Sequence, residues 1–410
     1  MNYVLVGNSA ASLFAAEAIR QQDTRSEITV LTADTYPFYS RCLTTYFLAG
    51  DISQSQLALR HVHTLQALQL TVHYHCPVTG LEPRKRVLFT AAGEYYRYDK
   101  CLIATGASAV SLPVPGSNLP EVFTLRHLED ALRIKKHLEP NRRAVIIGGG
   151  LVSLKSAYAL LKQGLRVTVI ISSGQILSQM LNPEAADLLQ AHLTSHGLTF
   201  QFNQDVGAIE GSEHVHSVHL RNGETLPADI VIVGKGVLPN TQPFSSSGLA
   251  IRKGIPVNEH LETNLADVYA AGDVAEAWDR IHQIQRLNPI WPNATTQGRI
   301  AGANMAGHHL TYSGSMGMNA VDFFGLRIIS AGMIRPPSAP PWHHKDTLSR
   351  STTGHPHYQR LVWKNDELKG FVLVGNTERA GVLTALIQSE RPLSQTVQQE
   401  LQNGKRSRVF

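Results

Sequence analysis

The sequence predicts an α/β protein built on two parallel, doubly wound nucleotide-binding units, and three observations carry that prediction. A short β-branched run, a small-residue turn and an amphipathic helix open the chain at Tyr3 and recur at Ala144. The 410 residues exceed what one core accommodates, so two or three domains are expected. With 43% hydrophobic and 17% charged residues, and no apolar run long enough to span a bilayer, disorder and a membrane-spanning role are excluded.

In the first unit residues 3–6 read as a buried strand, 7–12 as the turn, 13–20 as the helix and 28–31 as the next strand. Residues 144–147, 148–153, 154–163 (closed by Gly164) and 167–171 repeat the same parts. Parallel sheets bind ligands beyond the carboxyl ends of their strands, so the repeat implies two nucleotide cofactors. Residues 87–89 and 95–98 read as strands of a small antiparallel layer. The run Arg335-Pro336-Pro337-Ser338-Ala339-Pro340-Pro341 reads as a loop in a C-terminal α+β domain that starts near 316 and resumes at 358–363. The last 20 residues hold one helix at most, too weak for a membrane anchor.

Charge and cysteine usage narrow the function. The 37 Lys plus Arg against 32 Asp plus Glu leave +5, dispersed apart from Lys405-Arg406-Ser407-Arg408, which is no nucleic-acid footprint. The three cysteines, Cys42, Cys76 and Cys101, form no Cys-x-x-Cys pair, which excludes a disulfide scaffold or zinc ribbon. Met1-Asn2-Tyr3-Val4-Leu5-Val6-Gly7 lacks the features of a secretory signal, so a cytoplasmic location is expected. Of the 19 histidines, His192 and His196 are four apart, and His73/His75, His343/His344 and His355/His357 fall in near pairs. No third ligand stands at motif spacing, and no metal is expected.

The two turns are phosphate cradles in form, because backbone N–H groups and a helix dipole converge there. The first, Gly7-Asn8-Ser9-Ala10-Ala11-Ser12, keeps the first glycine of G-x-G-x-x-G and places serines at the second and third positions. Asp34 is the acid spaced to take the ribose hydroxyls, and an aspartate that merely shapes a surface turn fits equally. The second turn, Gly148-Gly149-Gly150-Leu151-Val152-Ser153, keeps two glycines. Its following strand ends Ile170-Ile171-Ser172-Ser173, with neither the carboxylate of an NAD site nor an arginine for a 2′-phosphate, so NADH and NADPH both remain open.

Four stretches in order, Leu102-Ile103-Ala104-Thr105-Gly106-Ala107, Val233-Gly234-Lys235-Gly236-Val237-Leu238-Pro239-Asn240, Val268-Tyr269-Ala270-Ala271-Gly272-Asp273 and Ala294-Thr295-Thr296-Gln297-Gly298, carry a family resemblance. With both βαβ units, the chain resembles the pyridine nucleotide-disulfide oxidoreductases over nearly all its length. Tyr39-Ser40-Arg41-Cys42-Leu43-Thr44-Thr45-Tyr46-Phe47-Leu48-Ala49-Gly50 and Gly370-Phe371-Val372-Leu373-Val374-Gly375-Asn376 are similar to the branch of NADH:rubredoxin reductase. That branch also holds the flavin portion of assimilatory nitrite reductase and the FAD–NAD oxidoreductase that accompanies carbon monoxide dehydrogenase.

The resemblance implies two Rossmann-like dinucleotide-binding domains, one inserted in the other: residues 1–107 and 241–315 for FAD, 108–240 for NAD(P), and 316–410 as an α+β interface domain. It assigns Gly7, Ser9, Ala10, Ala11, Asp34, Arg41, Cys42, Ala104, Thr105, Gly106, Gly272, Asp273, Ala294 and Thr295 to FAD. In this assignment Asp273 lies near the ribityl chain or pyrophosphate, and the helix near Ala294-Thr295 aims its amides at the flavin's pyrimidine edge. Gly148, Gly150, Leu151, Val152, Ser153 and Gly236 go to NADH or NADPH, and Leu125-Arg126-His127-Leu128-Glu129-Asp130 matches the segment that enters that domain. Lys155 departs from the family, many of whose members place a glutamate facing the nicotinamide there. It could approach the flavin or pair with a nearby acid.

The implied activity is FAD-dependent NAD(P)H oxidation with electrons passed to a one-electron carrier: rubredoxin, a ferredoxin-like protein or an iron–sulfur partner subunit. A homo-oligomeric state is left open. Cys42 matches the single redox cysteine of NADH oxidases, NADH peroxidases and coenzyme A-disulfide reductases, and a thiolate beside Arg41 and a flavin is expected to have a lowered pKa. A small packing residue fits the position as well. A third reading, from another class, is a non-catalytic flavin-binding assembly or sensor subunit.

Overall fold

A computed structural model describes residues 1–350 and 356–402; His355 and the basic tail at Lys405 and Arg406 lie outside the described residues. The chain divides into two compact units. The first comprises Met1–Val110, Arg126–Arg133 and Gly236–Ser315. The second comprises Ser111–Leu125, Ile134–Lys235 and the described part of the stretch from Met316. Residues 126–130, matched by sequence to the segment entering the nicotinamide domain, thus belong to the first unit.

The first unit is built on a five-stranded parallel sheet in the order Val268–Ala270, Lys100–Ile103, Asn2–Val6, Glu27–Leu31, Leu70–His73. Strands buried on both faces need continuous apolar runs, and Tyr3, Val4, Leu5, Cys101, Leu102 and Ile103 supply them. The Ala10–Gln22 helix covers one face and packs along the Trp291–Met305 helix. Gly298 and Gly302 permit that approach, since a Cβ on either would sit 2.3 Å from the carbonyl oxygen of Ala11 or Ala15. Val78–Glu82, Val87–Thr90 and Tyr95–Arg97 form the small antiparallel layer.

The second unit repeats the parallel sheet in the same sense: Val122–Thr124, Ile230–Val233, Arg143–Ile147, Arg166–Ile171, Thr199–Phe202. The Leu151–Lys162 helix follows its phosphate turn. Its second layer is an antiparallel five-stranded sheet, ordered Met318–Phe323, Leu326–Gly332, Glu367–Val374, Pro356–Lys364, Trp342–Arg350. The proline-rich loop therefore ends at Trp342, earlier than the sequence pattern placed the return to strand. His192 and His196 serve packing: His192 Nε2 lies 2.9 Å from the Phe323 carbonyl, and His196 stacks on Phe324 at 4.4 Å. Among the described residues no helix is long and apolar enough to cross a membrane, and no group of three His, Cys, Asp or Glu could hold a metal ion.

Candidate functional site

The first unit gathers its FAD-assigned residues at the carboxyl edge of its parallel sheet. Gly7 has φ +112°, and a Cβ there would stand 2.3 Å from the Ala104 oxygen, so only glycine lets the first strand turn beside the Ala-Thr-Gly stretch. Ser9 is the N-cap of the helix that starts at Ala10, with Ala10 and Ala11 buried in its first turn. The turn is thus shorter than residues 7–12: small residues suit a phosphate turn and a first helical turn alike. Ala104 is buried, and Thr105 and Asn240 lock together, with Thr105 Oγ1 donating to the Asn240 oxygen at 2.8 Å and Asn240 Nδ2 to the Thr105 oxygen at 3.0 Å. The Gly106 oxygen accepts from the Asn240 N–H.

Asp34 is more occupied than a ribose acceptor should be. One oxygen accepts from the Thr35 and Tyr36 amides, the other from Tyr39 Oη at 3.1 Å and Arg41 Nη2 at 2.9 Å. Four bonds exhaust a carboxylate's usual acceptor sites. Burial raises its pKa, but His127, the Tyr36 amide and the Arg41 charge outweigh that and hold it at about 2. Arg41 is therefore turned toward Asp34, and its Nη1 is buried with no hydrogen-bond partner among the described residues. Asn8 Oδ1 and Ser12 Oγ are also buried and unpartnered. Unmet buried polar atoms cost roughly 1–3 kcal/mol each, and two in the phosphate turn with a third on Arg41, beside Asp34, fit a polar ligand such as the FAD dinucleotide.

Asp273 is held by Arg126, whose Nη2 donates to it at 2.6 Å while Nε donates to the Ala107 oxygen at 2.9 Å. Sequence reasoning missed this partner, 147 residues away, for want of any local signal. Gly272 donates to Gln297 Oε1 at 2.8 Å, tying the Ala-Gly-Asp turn to the Trp291–Met305 helix. That helix starts earlier than the Ala-Thr-Thr-Gln-Gly motif indicated. Ala294 N–H bonds to the Ile290 oxygen and Thr295 Oγ1 to the Pro292 oxygen, so neither is a free donor at the helix end.

Cys42 is exposed in the short Arg41–Leu43 turn, whereas Cys76 and Cys101 are buried in the core. The expectation of a lowered thiol pKa fails. Although the residue is exposed, desolvation by the protein around it and the negative charge of Asp273 push it up, outweighing Arg126 and Arg41.

In the second unit Gly148, with φ +124°, would place a Cβ 2.3 Å from the Gly234 oxygen. Gly150 caps the helix that begins at Leu151, and Val152 is exposed. Ser153 is turned into the unit's interior. It is fully buried, and its Oγ donates to the Gly234 oxygen at 3.1 Å, binding helix to strand. Gly236 belongs to the first unit, and its oxygen accepts from the Val110 N–H. Lys155 is buried, donates to the Asp322 oxygen at 3.2 Å and lies over the Tyr158 and Phe323 rings at 4.5 and 5.2 Å. Its ammonium is thereby engaged with the C-terminal sheet.

Comparison with known proteins agrees with this geometry. Residues 1–298 match the family model for pyridine nucleotide-disulphide oxidoreductases, and residues 318–391 that for the C-terminal domain of rubredoxin NAD+ reductase. The chain is 30% identical to the NADH-dependent phenylglyoxylate dehydrogenase subunit epsilon of Aromatoleum evansii, over 94% of this chain and 91% of that one. It is 31% identical to a rubredoxin-NAD(+) reductase of Pseudomonas putida, over 75% and 80%. It spans about half the length of two other curated relatives, 48% and 50%. Among solved structures, an NAD-dependent persulfide reductase from A. fulgidus superposes with a TM-score of 0.88 at 26% identity, over 96% of this chain and 77% of that chain.

Proposed function

The chain belongs to the pyridine nucleotide-disulphide oxidoreductase family, in its rubredoxin reductase branch, and is an FAD-dependent NAD(P)H oxidoreductase; from that premise we propose that its electrons leave singly to a small carrier protein. Rubredoxin, a ferredoxin-like protein or an iron–sulfur partner subunit fits that description. The cysteine arrangement carries the reading. All three thiols are free, two are buried in the core, and Cys42 alone is among the residues assigned to FAD, so no dithiol stands ready to relay an electron pair. Similarity to a rubredoxin reductase over most of the chain supports the same acceptor class.

FAD, when bound, accepts hydride from a nicotinamide and can release electrons one at a time, chemistry that belongs to the cofactor. The chain's residues bind and orient. Gly7 admits a phosphate against the sheet edge, while Asn8 Oδ1, Ser12 Oγ and Arg41 Nη1 supply unspent polar atoms. Arg126 keeps Asp273 paired with a cation, so that a half-buried carboxylate can stand beside a sugar chain without a raised cost. Gly148 and Gly150 free the turn for the nicotinamide dinucleotide's phosphates.

The single-cysteine reading has one observation in its favour, the exposure of Cys42, and one against it, its raised pKa. An anaerobic titration with NADH and with NADPH, followed by a panel of acceptors, tests the choice. Carrier proteins should turn over, and peroxide and coenzyme A disulfide should not. Cys42→Ser should keep dye reduction close to wild type; a loss beyond about tenfold in a variant that still holds FAD overturns the carrier reading.

A further inference from the structure

We propose that Lys235 reads the adenosine ribose of the nicotinamide cofactor and that the chain binds the 2′-phosphorylated form, NADPH, more tightly than NADH; this rests on the nicotinamide site proposed above. Sheet order places the residue. Arg143–Ile147 lies between Arg166–Ile171 and Ile230–Val233, and Lys235 follows Ile230–Val233. Its backbone leaves the sheet on one side of the phosphate turn, yet its Nζ donates to Ser172 Oγ at 2.6 Å, just past the strand on the other side. The side chain crosses the carboxyl end of the central strand. Its ammonium therefore stands at the end of the second strand of the βαβ unit, where such folds hold the adenosine ribose.

A carboxylate at that position would accept from a 2′-hydroxyl and repel a 2′-phosphate. Here the residues just past the strand are Ser172 and Ser173, both exposed. The acid in contact is Asp205, which follows the next strand. It accepts from Ser172 Oγ at 2.7 Å and lies 3.4 Å from Lys235 Nζ. Its side chain is 51% exposed against 29% for Lys235, so water screens the acid more than the cation. Arg221 adds a second positive charge to the neighbourhood of Asp205.

An arriving phosphate carries more charge than the carboxylate and offers three acceptor oxygens. It can replace Asp205 as the partner of Lys235 and take the Ser172 hydroxyl as a further donor, while a 2′-hydroxyl gains little from an ammonium. Lysine supplies a point charge rather than a planar fork, so the preference should be graded rather than absolute.

Calorimetric binding of 2′,5′-ADP and 5′-AMP to the flavin-loaded protein isolates the 2′-phosphate without turnover. The first should bind at least about tenfold tighter at low salt, with the margin narrowing as salt rises. Lys235→Ala should remove most of that margin and leave 5′-AMP nearly unchanged, and Asp205→Asn, by freeing Lys235, should widen it. Equal affinities, tighter 5′-AMP, or a margin that survives Lys235→Ala would overturn the proposal while leaving the nicotinamide site standing. Binding of neither probe would sink the nicotinamide site itself.

Discussion

The two βαβ units share one backbone plan and differ in how their polar groups are spent. In both, a positive-φ glycine lets the first strand turn against a neighbouring carbonyl at 2.3 Å, Ala104 in one case and Gly234 in the other. In both, a serine fills the third position of the turn. Ser153 Oγ is bonded within the chain, whereas Ser12 Oγ is buried without a partner, together with Asn8 Oδ1 and Arg41 Nη1. Past the second strand, the first unit places a carboxylate already saturated by four donors, and the second an ammonium on a serine hydroxyl. The first turn therefore retains unmet polar demand that a resident cofactor would satisfy. The second is self-satisfied, as suits a cofactor that comes and goes.

The largest expected effect comes from breaking one turn at a time. Alanine at Gly7 or Gly148 forces a positive φ on an L-residue and drives a Cβ into a carbonyl, at a cost on the order of 3 kcal/mol or more. Gly7→Ala should purify with little flavin colour. Gly148→Ala should stay yellow but fail to bleach with NADH or NADPH under anaerobic conditions. Flavin absorbance before and after nicotinamide addition reads both outcomes. A colourless Gly148→Ala protein would show that the two turns are not the independent sites described.

The acids past the second strands come next. Asp34 is half-buried and its pKa is lowered to about 2, so its contribution is complete above the ordinary value of 3.8 and is lost as pH falls through about 2. Nearly two pH units correspond to about 2 kcal/mol at neutral pH. Asp34→Asn should lower the urea midpoint at pH 7, and the gap from wild type should close as pH falls from 4 toward 2. Asp205, half exposed in the other unit, is the contrast. As a solvent-screened pair its removal should cost only about 0–1 kcal/mol. Equal losses from the two variants would erase the difference claimed between the sites.

Much of this was legible from local pattern, and the failures share a cause. Two strands of each parallel sheet, at 3–6 and 28–31 and at 144–147 and 167–171, announce themselves because burial demands apolar runs, whereas the edge strands Leu70–His73 and Thr199–Phe202 are only partly buried and carry no such signal. Helix starts were misplaced where composition is ambiguous: Ala10 and Leu151 already belong to helices inside segments read as turns. The Trp291–Met305 helix carries a proline in its first positions, a start signal present in the sequence and obscured by the motif that follows it. The Trp342–Arg350 strand has no alternation to betray it, since it is an edge strand whose side chains are mostly exposed. Arg126 and Lys155 could not be placed, because the groups they bind lie 147 and 167 residues away. The pKa of the Cys42 thiol was expected to be lowered by a flavin and by Arg41, its neighbour in sequence, but desolvation by the surrounding protein and Asp273 push it up.

The third-position serines give the smallest and sharpest test. Ser153→Ala deletes a hydroxyl and leaves the Gly234 oxygen short of a donor, so it should cost about 1 kcal/mol of stability whether or not a nicotinamide is bound. Ser12→Ala deletes a hydroxyl that has no partner in the chain, and relieving that burial should leave the flavin-free protein as stable as wild type or slightly more so. With FAD present the sign should reverse, because the lost group is then one the cofactor satisfies. Urea midpoints of both variants, with and without FAD, separate the cases. If Ser12→Ala were neutral in both states, the unpartnered hydroxyl would be a packing accident, and the first turn would be as self-contained as the second.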